Sequence, residues 1–301
     1  MLAPIDRKLI EQELNSERFV KKTNKGDNDI YIINYHNAPN VLQEIGRLRE
    51  LSFSMAGGGT GQDVDLDEFD ISKNCYEQLI VYDREEQEIV SGYRFIDCAK
   101  TILPDGEIEL STRHYFNFSK KFIKEYLPYT IELGRSWVQP KYQAGGDGAR
   151  KGIFALDNLW DGLGSIIIRY PHMKYFFGKV TMYSSYNKQA RNALLYFMNS
   201  YFPDLENLVT PIHPIEIKSD LKEIKKLIRD KNFDDGLKAL YQYLKTYGES
   251  VPPLINTYMK ISDTMKSFGT ALNPDFGGVE ETGILVIVDD IYPEKKERHI
   301  K

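Results

Sequence analysis

Glu132 and Arg135, three residues apart in the run IELGRSWV, are a carboxylate and a guanidinium set in an otherwise largely apolar segment. Residues three apart on a strand start on opposite faces, so the two can approach only if the strand is interrupted. Gly134 between them is where a bulge is expected. A glutamate in such a segment can take a proton from an amine; the alternative is a buried ion pair that holds a sheet together. Arg94 in SGYRF raises the same question, because a charge in a strand of apolar residues is costly unless paired. Its natural partner is a carboxylate of DLDEFD, residues 65–70, unless it lies on an edge strand and faces water. That acidic loop can hold an arginine, an ammonium group or a calcium ion. It lacks the glycine and terminal glutamate of the helix–loop–helix calcium site, and a solvated acidic loop fits equally well. Arg49 and Phe53, four apart, share one helical face. Last, QAGGDGARKG, residues 143–152, combines four glycines with Arg150 and Lys151 just before a helix. Backbone amides and cations there suit a phosphate; a surface insertion without function is the alternative.

These residues need elements to position them. A short helix is expected over 6–14, then a polar stretch and a strand over 30–35. From Pro39, Val41, Ile45, Leu48, Leu51 and Met55 recur at helical spacing, and a glycine run over 57–61 ends the helix. Strands over 78–82 and 89–95, joined by DREEQE, read as a hairpin. A short basic helix over 119–125, a strand over 130–138, a helix over 153–170, a strand over 175–182 and a helix over 188–202 follow. The order β-α-β-β-β-α-β-α implies an α/β (α+β) fold with a mixed sheet flanked by helices. Beyond it, charged helices are expected over 219–229 and 234–247, another from Pro252-Pro253 to about 268, and a final strand over 283–290. The Lys/Glu-rich face over 218–231 reads as a solvated helix surface.

The whole chain sets the class. It has 301 residues, 42% apolar and 28% charged, which allows a sizeable core without disulfides. A net charge of −5 argues against a general nucleic-acid binder. Cys75 and Cys98 form no CxxC pair, so zinc and thioredoxin-like readings have little support, no resident metal is expected, and a reducing, cytoplasmic setting is the simple inference. The first residues lack a secretory h-region and no apolar run approaches ~20 residues, so a membrane role would be peripheral, at the inner face. The 20 Tyr and 15 Phe are read mostly as core.

LRELSF, DLDEFD, SGYRF and ELGRSWV, in that order and spacing, resemble the N-acyltransferases that make the lyso-forms of ornithine and glycine lipids, a family of the GNAT superfamily that often carries a hemolysin-like label. The same string resembles the acyl-homoserine-lactone synthases, whose helix pair matches Arg49 and Phe53, whose loop acids match Asp67 and Asp70, whose strand arginine matches Arg94 and whose later pair matches Glu132 and Arg135. The segment 251–288 resembles the carboxy-terminal part of the aminolipid enzymes, and the lactone synthases end sooner. The resemblance implies that the sheet is GNAT-like and mostly antiparallel, with residues 1–29 as an extension, 30–215 as a GNAT-like acyltransferase core, 216–250 as a helical insertion and 251–301 as a segment completing the core. GGDGARKG lengthens the loop after ELGRS beyond the family pattern, and the helices over 219–247 have no clear match.

What the resemblance implies is transfer of a 3-hydroxyacyl group from acyl carrier protein, or from acyl-CoA, to the α-amine of glycine or ornithine. The thioester is a co-substrate and no cofactor stays bound. The product is a monoacylated lysolipid for membrane lipid synthesis. Glu132 is then the base, directly or through a water, which requires its strand to border a groove. Backbone amides near Trp137 and Val138, beside Ser136, would face the thioester oxygen. Phosphopantetheine would run to Gly145, Gly146, Gly148, Arg150, Lys151 and Gly152. Arg135 or Arg94 would hold the acceptor carboxylate or else pair with Asp67 and Asp70. Lys120, Lys121, Lys124, Lys141, Arg150 and Lys151 are candidates for docking an acidic carrier. Three other readings stay open: an acyl-homoserine-lactone-type signal synthase, a non-catalytic acyl-carrier or lipid-binding module, and a membrane-lytic protein.

Overall fold

The computed structural model describes residues 2–143, 145–152, 154–217 and 221–300. In chain order the helices are α1 (Arg7–Glu13), α2 (Pro39–Met55), α3 (Glu68–Ile71), α4 (Ala149–Gly152), α5 (Ala155–Arg169), α6 (Lys188–Tyr201), α7 (Lys222–Ile228), α8 (Phe233–Lys245), α9 (Pro253–Met259) and α10 (Pro293–His299). The strands are β1 (Phe19–Lys22), β2 (Asp29–Ile33), β3 (Glu77–Asp83), β4 (Glu88–Asp97), β5 (Phe116–Phe118), β6 (Thr130–Val138), β7 (Tyr175–Met182), β8 (Val209–Pro211), β9 (Lys266–Asn273) and β10 (Val279–Ile287). The fold is mixed α/β with antiparallel strand pairs flanked by helices, as expected. The chain divides into two compact units, each assembled from separate stretches of sequence.

The first unit spans Met1–Ser111, Pro128–Lys174 and Tyr292–Lys301. Its sheet runs β1-β2-β3-β4-β6, every neighbour antiparallel. Alternation along the strands sorts the side chains. Leu79 and Tyr93 face α5, where a Cβ on Gly162 would come 2.5 Å from Leu79. Gln78 and Arg94, one residue away on each strand, therefore point to the opposite face, where α2 brings Arg49. Helix α2 begins at Pro39, whose fixed φ suits a first turn. Ala38 cannot cap it, so Glu13 at the end of α1 accepts from the amides of Asn40 and Val41 at 3.2 and 2.8 Å. Helix α10 closes on α5 through His299 Nδ1 and Asp161, 2.8 Å apart.

The second unit spans Thr112–Leu127 and Tyr175–Ile291. Strands β7-β10-β9 form an antiparallel sheet, and β5 pairs with β8. Phe122, Phe177 and Phe268 pack ring against ring. Gly283 leaves room for Phe116, whose ring lies 3.2 Å from where a Cβ would be. Helix α6 starts at Asn187, which accepts from the amides of Gln189 and Ala190. At the other end of this sheet Glu281, fully buried, meets Lys179, Thr181 and Asn273.

Several elements differ from expectation. The helix from Pro253 stops at Met259, and the residues after it turn and enter strand β9. Lys266–Asn273 carries Ser267, Gly269 and Thr270, which hide its alternation. Strands β1, β5 and β8 are three or four residues long, too short to show a period, and charged α10 follows the last strand. The basic stretch near Ser119 forms one wide turn over Phe122–Tyr126. The expected starts of two helices, Ile153 and Ser219, and the beginning of the Lys/Glu-rich face at Lys218, lie outside the described residues. Among those described, no helix is long and apolar enough to cross a membrane.

Candidate functional site

The acidic loop folds into a clamp for arginines. Asp67 caps α3 by accepting from the amide of Phe69 at 3.1 Å, and Asp70 accepts from the amide of Asp67 at 3.2 Å. This reciprocal cap fixes both carboxylates. Arg49 is fully buried and reaches Asp65 at 2.9 Å and Asp70 at 3.1 Å. Arg94, 2% exposed, reaches Asp67 at 2.7 Å and Asp70 at 3.0 Å. Arg135 completes the group on Asp65 at 2.9 Å. Gln78 Nε2 donates to Asp70 at 2.9 Å. Burial opposes the charge on Arg49 and Arg94, but the facing carboxylates outweigh it and hold both above the usual guanidinium value. Likewise burial pushes Asp65 and Asp70 up, and the guanidinium groups more than reverse this, leaving both below the carboxylate range.

Arg135 enters this group through a bulge. Gly92 pairs with Trp137 and Arg94 with Gly134, so Tyr93 alone lies opposite Arg135 and Ser136. The extra residue is the signature of a β-bulge. It sits one residue beyond the expected position, with Arg135 at φ 51°, in the left-handed region that favours glycine. Gly134 itself pairs with Arg94, and a Cβ there would meet Arg94 Nε at 3.7 Å, an ordinary contact. The bulge lets Arg135 meet an aspartate already held by Arg49, on the face that also carries Glu132.

Glu132 was expected to border a groove. Instead its side chain has no exposed surface. Its Oε1 accepts from the Tyr76 hydroxyl at 2.7 Å and from Ser111 Oγ at 2.8 Å, and the Ser111 amide donates to the same Tyr76 hydroxyl at 3.0 Å. Burial, then the neighbouring Glu132, pushes the Tyr76 phenol well above its ordinary value, so it stays a donor. The Tyr76 ring also carries the Arg94 guanidinium, 4.9 Å from its centre. The carboxylate and the arginine clamp are thus joined through one aromatic side chain. In this packing the Glu132 carboxylate has no surface of its own, and Tyr76 and Ser111 stand as its hydroxyl partners.

Phe53 is buried on α2, one turn past Arg49. Ser52 on the same helix donates to the carbonyl of Val138 at 3.2 Å, fastening α2 to the end of β6. Trp137 is buried, whereas Ser136 and Val138 are half-buried. Asp65, Tyr76, Gln78 and Ser111 are the members of the site that spacing did not single out. Asp65 stood inside the acidic motif, but nothing local marks Tyr76 or Ser111 as partners of Glu132.

The glycine-rich loop is a compact turn. The amides of Gly146, Gly148 and Gly152 donate to the carbonyls of Gln143, Lys141 and Gly148. Those three donors are committed to the turn itself, and a bound phosphate would have to rely on side chains and on the start of α5. Arg150 lines a cavity of about 340 Å³ together with Lys22, Arg84, Tyr142 and Phe154. The side chain of Lys151 lies outside the described residues. No group of side chains among those described could hold a metal ion.

Residues 48–147, which include the clamp and the bulged strand, match the acetyltransferase (GNAT) domain family. Over its whole length the chain is 48% identical to a glycine N(alpha)-acyltransferase of Phocaeicola vulgatus, covering 92% of that protein. It is also 48% identical to a glycine N(alpha)-acyltransferase of Bacteroides thetaiotaomicron, covering 89% of it. Among solved structures, the CoA-dependent acyl-homoserine lactone synthase BjaI aligns over 55% of this chain and 72% of its own at 12% identity, with a TM-score of 0.33.

Proposed function

The chain belongs to the glycine N(alpha)-acyltransferase family, and from that premise we propose that this N-acyltransferase moves a 3-hydroxyacyl group from a phosphopantetheine thioester of acyl carrier protein to the α-amine of glycine. The product is an N-acylglycine, a lysolipid with a free carboxylate.

The observation that supports this most is the bulge in β6. It places an arginine beside a clamped aspartate on the same face as a buried glutamate, within one strand. An amine attacks a thioester only when neutral, so a group must take its proton, and Glu132 fills that role. Arg135 is the most accessible arginine of the clamp, with 14% of its side chain exposed against 0% and 2% for Arg49 and Arg94. Guanidinium grips a carboxylate with two parallel bonds, so Arg135 orients the acceptor while Arg94 and Arg49 hold the clamp. Backbone amides at Trp137 and Val138, just past the bulge, face the thioester oxygen as it gains charge. The phosphate of the donor lies at the loop over 145–152, with Arg150 as its cation.

The test is direct. The chain is expressed in a host that makes no such lipid, and extracted lipids are analysed by mass spectrometry. New N-acylglycines are expected, and they should vanish with Glu132→Gln. In vitro, acyl carrier protein and coenzyme A thioesters are offered with glycine, ornithine or S-adenosylmethionine. Transfer to S-adenosylmethionine alone, or no acylated amine at all, would overturn the assignment.

A further inference from the structure

The enclosure of Glu132 leaves a physical question, namely how a proton from outside reaches it. Two hydroxyls donate to its Oε1, from Tyr76 at 2.7 Å and Ser111 at 2.8 Å. Tyr76 is 1% exposed. Its hydroxyl is already engaged on both sides, giving its proton to Glu132 and accepting from the Ser111 amide. Ser111 differs from it: the residue is half-buried and so retains some surface. A serine hydroxyl has one proton to give and lone pairs with which to accept. Here the proton is pointed at Glu132, which leaves the oxygen able to receive another.

We infer that the Ser111 hydroxyl is the proton relay between the acceptor amine and Glu132, with Tyr76 as the positioning residue that holds both. The inference rests on the acyltransferase reading above. Glycine arrives as an ammonium ion. One N–H bond breaks as its proton passes to Ser111 Oγ, while the proton already on Oγ passes to Oε1 of Glu132. The nitrogen lone pair freed in this way attacks the thioester carbon, and the carbonyl electron pair moves onto oxygen. Collapse of that intermediate breaks the C–S bond; the thiolate leaves and takes the second amine proton, giving amide and thiol. Glu132 returns its proton to solvent through the same hydroxyl. Tyr76 fits the positioning role because its hydroxyl is engaged on both sides, donating to Glu132 and accepting from the Ser111 amide, and burial pushes its phenol well above the ordinary value. It also fastens the Ser111 backbone, so the Oγ of Ser111 is held at hydrogen-bond distance rather than free to rotate away.

The experiment compares two acceptors in the full chain. Glycine is protonated near neutral pH and needs the relay, whereas hydroxylamine is mostly neutral there and needs no proton removed before attack. For Ser111→Ala, kcat with glycine is expected to fall about a hundredfold, within the range for lost acid–base catalysis. The rate with hydroxylamine should change by less than about threefold, and Ser111→Thr should restore most of the glycine rate. Ser111→Cys, close in size to serine, is read by the same ratio should the alanine variant fold poorly. Equal losses with both acceptors, or no loss with glycine, would overturn the relay while leaving the acyltransferase intact. A wild-type chain that acylates neither acceptor overturns both.

Discussion

The guanidinium of Arg94 lies 4.9 Å from the centre of the Tyr76 ring, and the hydroxyl of that ring donates to Glu132. One tyrosine therefore separates a cation from a buried carboxylate while touching both. Arg94 also shares Asp70 with Arg49, so a change at any of these positions reaches Glu132 through at most three side chains. The clamp is a support for the bulged strand, and its worth can be measured residue by residue.

Arg94→Met should be strongly destabilising. It removes the Arg94 cation from Asp67 and Asp70 and leaves fully buried Asp70 with one guanidinium, Arg49, beside its amide donors from Gln78 and Asp67. Breaking one partner out of a buried ionic group costs about 3–5 kcal/mol. Urea denaturation followed by circular dichroism checks this; a loss below about 1 kcal/mol would mean that the clamp is not under electrostatic stress.

Tyr76→Phe keeps the ring under Arg94 and deletes only the hydroxyl. Glu132 loses one donor and the Ser111 amide loses its acceptor. Each unsatisfied buried group costs about 1–3 kcal/mol. Stability should drop by about that much, and kcat should fall while the KM for glycine stays within about threefold. A chain with unchanged kcat would show that Tyr76 does not position the proton path.

Much of the clamp was legible because charge in an apolar strand demands a partner. Arg94 and the acids of DLDEFD could be joined on that ground alone. Tyr76 and Ser111 could not, since they stand 56 and 21 residues from Glu132 and only the folded sheet brings them together. The bulge is expected at Gly134, yet it forms over Arg135 and Ser136, with Arg135 at φ 51° taking the left-handed backbone. Only the first residues of strand β9 fall in the expected helix, which runs to about 268, and the rest carries no expected element: Ser267, Gly269 and Thr270 offer no apolar alternation, and its partner β10 supplies the order that its own residues lack.

The clamp also sets an acid limit. Asp65 and Asp70 are held below the ordinary carboxylate range, since the guanidinium groups outweigh burial. Their unfolded value is about 3.9, so above about pH 4 the unfolded chain gains nothing by losing these protons and the full stabilisation is present. As pH falls through the lower folded values, the unfolded state binds protons first and stability is lost. The melting temperature should stay flat from neutrality to about pH 5 and fall below about pH 4. Asp65→Asn should melt lower at neutral pH and show a shallower fall in that acid window; an identical acid slope would remove Asp65 from the account.

The donor end of the site is tested at Gly152. A Cβ placed there would come 1.8 Å from the carbonyl oxygen of Tyr142, which is backbone and cannot swing aside. Gly152→Ala must therefore push the 145–152 loop away from the turn at Pro140–Tyr142, displacing Arg150 from the cavity it lines. If the phosphate of the thioester is held there, KM for the acyl donor should rise at least about tenfold, about 1.4 kcal/mol of binding, with the KM for glycine unchanged. Gly145→Ala is the comparison. Its Cβ meets nothing within 4 Å, and its φ of 88° costs only the local strain of a left-handed residue. The donor KM of that variant should stay close to wild type. Equal donor KM values for Gly152→Ala and wild type would move the phosphate away from this loop and leave the cations around Lys120 as the place to search for it.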